Sequence, residues 1–195
     1  MKKVVKAGMH GVSLAVVFLP ALLSAFGRVE TPFALFAQGF ALAPGILGDY
    51  LRIAYYKLTL DRCALNSRIQ FGSFFAHAQA RVGSGVYIGS FCILGRSVIG
   101  DRTQIASGVQ IMSGRRQHAR DSEGRMLGSD RGEFRPVAIG ADCWIGAAAI
   151  VMADVGAGST VGAGAVVVNP IPARSVAVGN PARVVKAAEP DGGNQ

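Results

Sequence analysis

Aliphatic residues recur along the second half of the chain at Val82, Ile88, Leu94, Ile99, Ile105 and Ile111. They resume at Ile139, Ile145, Val151, Val155, Val161 and Val167. The step is six residues, with one step of five and one of four. Glycine follows immediately at positions 83, 89, 95, 100, 140, 146, 156 and 162. Four places after the aliphatic residue comes a small or β-branched one: Val86, Cys92, Val98, Thr103, Val109, Cys143, Ala149, Ser159 or Ala165. A helix repeats near 3.6 residues and a strand at 2, so six fits neither alone. It fits a unit of one short strand plus one corner, three units closing a triangular coil. The aliphatic residue then points into the prism and stacks on its counterpart in the next coil. The small residue also faces inward, and the glycine allows a tight corner. Such a solenoid buries its core only by stacking coils. The pattern predicts an all-β solenoid of stacked coils running through these repeats.

The first 63 residues follow another plan. Residues 7–26 and 31–48 contain no Lys, Arg, Asp or Glu, and the joint "GRVE" separates them. A helix needs about 20 apolar residues to cross a bilayer. Three readings fit: a membrane hairpin or re-entrant anchor, a cleaved signal peptide, and packing in a soluble core. Lys2, Lys3 and Lys6 before the first stretch, and Arg52, Lys57 and Arg62 after the second, favour membrane association with both ends on the cytoplasmic face of the inner membrane. A soluble cytoplasmic protein is the alternative. The segment "GDYLRIAYYKLTLDRC" then becomes an amphipathic connector, with Tyr50, Tyr55 and Tyr56 suited to an interface. Residues 187–195 form a polar tail expected to be flexible.

One segment breaks the repeat. Residues 113–137, "SGRRQHARDSEGRMLGSDRGEFRPV", carry six arginines, four acids and His118. A loop this long in a regular solenoid points to function rather than to a tolerated insertion. Histidine titrates near neutrality and suits proton removal from a hydroxyl. His77, in "FFAHAQARV", is the second candidate base. Asp121 and Glu133 could orient His118 in the manner of a catalytic triad; pairing with the loop arginines is the plainer role for both. The arginines could also meet an anionic acceptor.

Bulk composition narrows the classes. Among 195 residues half are hydrophobic, 16% are charged and the net charge is +8. A basic balance suits nucleic acid, anionic lipid or phosphorylated small molecules. The basic residues are dispersed, however, and no zinc-finger spacing or RNA-binding aromatic motif accompanies them, which argues against nucleic acid. Three scattered cysteines, Cys63, Cys92 and Cys143, read as reduced interior fillers.

The rule [LIV]-G-x-x-[small]-x, with the run "WIGA…VGAGAVV…IP…SVAVGNPARVVK", resembles the hexapeptide-repeat family, whose fold is a left-handed parallel β-helix. The C-terminal run is similar to that of its acetyl-CoA-dependent acyltransferases, notably sugar O-acetyltransferases of the maltose, galactoside and exopolysaccharide type and serine acetyltransferases. The resemblance covers residues 64–186; the hydrophobic head resembles only a membrane-associated subset. It implies a homotrimer that transfers acetyl from acetyl-CoA to a sugar or glycan-precursor hydroxyl, with His118 as general base at a subunit interface. It further implies that Trp144 and Ala147 border the pantetheine arm, that Ala163 contacts it through backbone, and that Arg183 and Lys186 approach the nucleotide phosphates. Val168 and Asn169 stand where many relatives have Thr-Lys, which shifts the phosphate grip toward Arg183. The short unit "MADV" should displace its local corner. A β-helical carbonic anhydrase would need three histidines around zinc; here the third, His10, lies in the head, so no metal is expected. A serine or amino-sugar acetyltransferase and a non-catalytic scaffold remain the alternatives.

Overall fold

The computed structural model of the protein describes residues 2–114, 118–128 and 132–186, with only the backbone for Lys2 and Lys3. The tail at 187–195 lies outside the described residues. Three helices come first: Lys2–Leu23 (α1), Glu30–Ala41 (α2) and Gly45–Thr59 (α3). About six coils follow. Coil one runs Arg62–Cys63 (β1), Arg68–Ile69 (β2) and Phe74–Phe75 (β3). Coil two runs Arg81–Val82 (β4), Tyr87–Ile88 (β5) and Ile93–Leu94 (β6). Coil three has Ser97–Ile99 (β7), Gln104–Ile105 (β8) and Gln110–Ile111 (β9). Coil four has Val137–Ile139 (β10), Trp144–Ile145 (β11) and Ile150–Val151 (β12). In coil five a single bridge at Val155 precedes Thr160–Val161 (β13) and Val166–Val167 (β14). Coil six has a bridge at Ile171 and Val176–Val178 (β15), closed by Arg183–Lys186 (β16), which runs antiparallel on β15.

Equivalent strands stack into three parallel faces. Cys63, Val82, Ile99, Ile139, Val155 and Ile171 are in register on face one. Ile69, Ile88, Ile105, Ile145 and Val161 do the same on face two, and Phe75, Leu94, Ile111, Val151 and Val167 on face three. These side chains are buried. Each contributes about 1.5–3 kcal/mol relative to exposure. The repeat therefore reads correctly through both irregular steps. The short unit "MADV" does not shift the stack, because Val155 still pairs with Ile139 and Ile171; the missing residues come out of the corner. The five-residue step does shift a side chain. Val98 points outward at 39% exposure and Ser97 takes the buried place beside Gly95.

The glycines serve a purpose other than the expected one. Gly89, Gly100, Gly140, Gly146, Gly156 and Gly162 follow the aliphatic residue without a positive φ. At Gly89 an added Cβ would lie 2.6 Å from the Ser107 backbone nitrogen, and at Gly146 2.5 Å from that of Ala163. Their role is the close approach of successive coils. The left-handed residue of each corner comes two places later. It is Gly85, Arg102, Asp142, Gly158 and Arg174 between faces one and two, and Gly72, Phe91, Gly108, Ala148 and Gly164 between faces two and three.

In the head, α1 and α2 pack on α3, which sits over β1 and β2. One stripe of α1, through Ser13, Val17 and Ala21, is buried, while Val5, Val12, Val16, Leu19 and Leu23 are exposed. By length and composition α1 could cross a membrane. The second apolar stretch cannot, because the chain breaks before Gly45 and leaves α2 only 12 residues, about 18 Å against the roughly 30 Å of a bilayer core. The connector is α3 itself. Its Tyr55 and Tyr56 do not face an interface but are buried among Phe33, Phe40 and Phe75. Arg52, counted from sequence as a flanking charge, is fully buried. Its guanidinium donates to the carbonyls of Ile69, Phe40, Ala41 and Ala43 and to Asp49. It thereby satisfies carbonyls that α2 leaves open at its C-terminus.

Candidate active site

The corner between faces three and one collects polar chemistry. In successive coils it carries His77, then Arg96, then the charged excursion after β9, then Asp154, then Asn169. An interior made of aliphatic rungs offers no acid or base, so such groups have to stand at corners.

Within the excursion a small hairpin forms. Arg120 and Met126 bridge in antiparallel fashion, Asp121 N donates to Arg125 O (3.0 Å) and Leu127 N to Ala119 O (2.9 Å). His118 stands exposed at the foot of its first arm. Asp121 Oδ1 accepts from the amides of Glu123 and Arg125, both at 2.9 Å. That is an Asx-type turn, built on one oxygen of the carboxylate expected to orient His118. Among the described residues no hydrogen bond joins Glu133 to His118. Glu133 lines a cavity of about 270 Å3 with Arg135, Met152, Asp154, Val168 and Pro170. Asp154 ties the returning limb to this wall. It accepts from Ala138 N at 2.9 Å and pairs with Arg135 at 2.9 Å. His118 is not part of the cavity wall.

His77 has partners that the sequence did not suggest. Its Nδ1 lies 3.0 Å from Glu30 Oε1 at the start of α2, and its ring meets Phe134 edge-on at 5.4 Å. Arg96 lies over the Phe134 ring, 5.4 Å from its centroid, and donates to its carbonyl at 3.4 Å. The excursion's return is therefore clamped between two coils and linked through His77 to the head. Phe134 is the only aromatic residue within the charged segment, which was the one available signal; Glu30 offered none beyond being the acid of the joint.

The residues assigned to acetyl-CoA lie elsewhere on the prism. Trp144 projects outward from β11 at 59% exposure. Ala147 and Ala163 are exposed at the corner between faces two and three, where Gly164 N donates to Ala147 O at 2.8 Å. Arg183 and Lys186 are exposed on β16. The structure brings these five to one side of the β-helix and leaves His118 at a different corner. Among the described residues no group of three or more His, Cys, Asp or Glu could hold a metal ion. Cys63, Cys92 and Cys143 are buried and free, and burial raises all three thiols.

A hexapeptide-repeat-containing acetyltransferase from Vibrio cholerae superposes with a TM-score of 0.65 at 21% identity, over 81% of this chain and 92% of that one. The chain has the left-handed β-helix fold of the hexapeptide-repeat acyltransferases. The same Vibrio cholerae protein, complexed with acetyl coenzyme A, matches this β-helix with a TM-score of 0.55 at 21% identity, over 86% and 92% of the two chains. A maltose O-acetyltransferase from Clostridium difficile aligns with a TM-score of 0.61 at 23% identity, over 83% and 87%. Among curated proteins, Nodulation protein L of Rhizobium leguminosarum bv. viciae is 43% identical over 109 residues, 53% of this chain. The chain spans 55% of that relative's length. No family model matches the chain.

Proposed function

We propose that the protein is an acetyl-CoA-dependent O-acetyltransferase acting on a hydroxyl of a sugar or glycan precursor, with His118 as general base. The observation that carries this reading is the excursion itself. It carries the segment's one histidine, exposed, on the same excursion that supplies Glu133 and Arg135 to the cavity wall, on a fold whose Vibrio cholerae example is complexed with acetyl coenzyme A. The names of proteins with this fold support the acceptor class: a maltose O-acetyltransferase, a polysialic-acid-specific acetyltransferase, and an N-acyltransferase in complex with an amino-sugar nucleotide. In the transfer, the neutral imidazole takes the proton of the acceptor hydroxyl as its oxygen attacks the thioester carbonyl. The carbon–oxygen bond forms, the carbon–sulfur bond breaks, and the departing CoA sulfur recovers the proton from His118. Glu133, Arg135 and Asp154 supply acceptors and a donor to hold the sugar in the adjoining cavity.

The donor groups and His118 occupy different corners, so one chain holds two partial sites. In a homotrimer the donor side of one β-helix meets the loop of its neighbour. That arrangement completes the site, and it gives the exposed Trp144 and the small corner residues Ala147 and Ala163 a flat groove in which to lay the pantetheine arm. The exposed apolar side of α1 rests against the cytoplasmic face of the inner membrane, where an acetyl-CoA-using enzyme finds its donor. Failure of the full-length protein to sediment with membranes or lipid vesicles overturns that placement.

The deciding experiment follows CoA release by free-thiol assay across a panel of acceptor glycans. His118→Ala should lower turnover by about 10²–10⁴-fold, the usual worth of a positioned base, with CoA affinity and oligomeric state unchanged. Turnover at the wild-type rate removes His118 from the role.

A further inference from the structure

A second cavity lies where the head meets the first coil. It holds about 280 Å3 and is lined by Lys6 and His10 from α1, Ile46 and Tyr50 from α3, Asn66 from the first corner of coil one and Arg68 from β2. Neither the transfer chemistry nor the donor groove uses it.

Its charge is unbalanced in a defined way. Asp49, also on the wall, is fully engaged: Oδ1 accepts from Arg52 at 2.6 Å, and Oδ2 from Arg68 Nε at 2.7 Å and Gln70 Nε2 at 2.9 Å. Two cations, Arg52 and Arg68, thus hold one carboxylate, and a third, Lys6, lines the same cavity. Arg68 uses only Nε in that pair and its side chain is 55% exposed, which leaves its two terminal nitrogens available. His10 adds an orphan. Its ring stands edge-on to Tyr50 at 4.8 Å, while Nδ1 is buried and has no partner among the described residues. A buried polar atom without a partner calls for one, and imidazole can donate to an anionic oxygen. Ile46, Ile53 and Leu65 give the wall an apolar part beside Asn66 and Ser67, and Ile46 carries it out to the exposed surface of the head.

We infer that this cavity binds the phosphate head group of an anionic amphiphile, gripped by Lys6, Arg68 and His10, with its acyl chains running out over Ile46 and the exposed side of α1. Arginine and lysine are the usual phosphate donors, and a membrane-facing basic site of this kind selects acidic lipids. The inference rests on the proposed placement of α1 against a membrane. It makes the head a reader of lipid charge as well as an anchor.

Two measurements on the full-length protein separate the ideas. Calorimetry in nonionic detergent compares short-chain phosphatidic acid, short-chain phosphatidylcholine and inorganic phosphate. Co-sedimentation compares phosphatidylcholine vesicles with and without phosphatidic acid. The expected result is binding of phosphatidic acid in preference to both soluble comparators, with more protein sedimenting on the acidic vesicles. Lys6→Gln, and His10→Phe, which keeps a ring against Tyr50, should each weaken phosphatidic acid roughly tenfold, the loss of one charge-assisted contact, with the unfolding midpoint unchanged. Equal binding of inorganic phosphate overturns the lipid source. Equal binding of phosphatidylcholine, or variants that bind as wild type, overturns the site. Sedimentation on both vesicle types with no discrimination among soluble ligands overturns the inference and leaves the membrane placement standing. Phosphatidic acid binding by a chain that sediments with neither vesicle supports the site and overturns the placement.

Discussion

Gly146 and Gly164 look interchangeable as letters in one repeat, yet a methyl group meets different physics at each. At 146 the new Cβ would sit 2.5 Å from the Ala163 backbone nitrogen, and neither coil can retreat without breaking rungs above and below. At 164 nothing lies within 4 Å, but φ is +67°. Overpacking against backbone costs up to about 3 kcal/mol, whereas a left-handed alanine costs about 1 kcal/mol, and Ala148 already accepts that at +57°. Urea unfolding should therefore place Gly146→Ala well below Gly164→Ala in midpoint. The reverse order would mean that the coils are loosely stacked. A pH effect belongs at this scale too. Burial pushes the Cys63 thiol up to about 12 and raises the Tyr56 phenol as well. The folded state keeps both protonated while the unfolded chain ionises from about pH 8.5 for a thiol. Their stabilisation is complete below that pH and is lost progressively as pH climbs toward 12, because the unfolded state then binds fewer protons. The urea midpoint should fall over that window, and fall less in Cys63→Ala.

Between elements, Arg52 is the residue that joins head to solenoid. It is fully buried, and its donors reach the end of α2, the β2 carbonyl of Ile69 and Asp49. Arg52→Met keeps length and apolar contact but strands those carbonyls and removes one counter-ion of Asp49. Breaking such a buried pair costs about 3–5 kcal/mol. Limited proteolysis should then open the chain between α2 and α3 before the β-helix is touched; unchanged protection there would show that packing alone holds the head. This junction also marks where sequence reading stops working. The coils were legible because one interior requirement repeats at fixed spacing, and even Val155 obeys it. Ser97 and Val98 were misassigned because a five-residue step reverses which neighbour faces inward. The glycines were assigned to corners because sequence shows that a Cβ is absent but not what would meet it. Arg52, Tyr55 and Tyr56 were placed at an interface because a short helix beside apolar segments looks amphipathic until its partners are known. Glu30 and His77, 47 positions apart, meet through a contact that leaves no periodic trace. The excursion stands out by its charge, whereas the use of Asp121 Oδ1 by its own turn depends on a local fold that composition does not encode.

At the scale of the whole molecule, the proposed site divides between two faces of one prism, and that division can be measured directly. His118→Ala removes the base but leaves the donor side at Trp144, Ala147 and Ala163 intact. Ala147→Trp fills the exposed corner groove while leaving the loop untouched, since the side chain at 147 points to solvent and its carbonyl still receives Gly164 N. Each variant alone should be inactive. If every site combines the loop of one chain with the groove of the next around a closed ring, random mixing of the two in equal amounts restores some interfaces. A working site then needs an intact loop on one side and an intact groove on the other, each present half the time, so about a quarter of wild-type turnover should return. Mixing is done by unfolding and refolding the two variants together, with free thiol from CoA as the readout and size-exclusion chromatography confirming the ring. A site completed within one chain gives no recovery at any ratio, since no single chain then carries both intact halves. Recovery that follows ring formation makes the corner-to-corner separation the reason for assembly: a smooth β-helix carries its acid–base group and its donor groove at different corners, and a second copy brings them together.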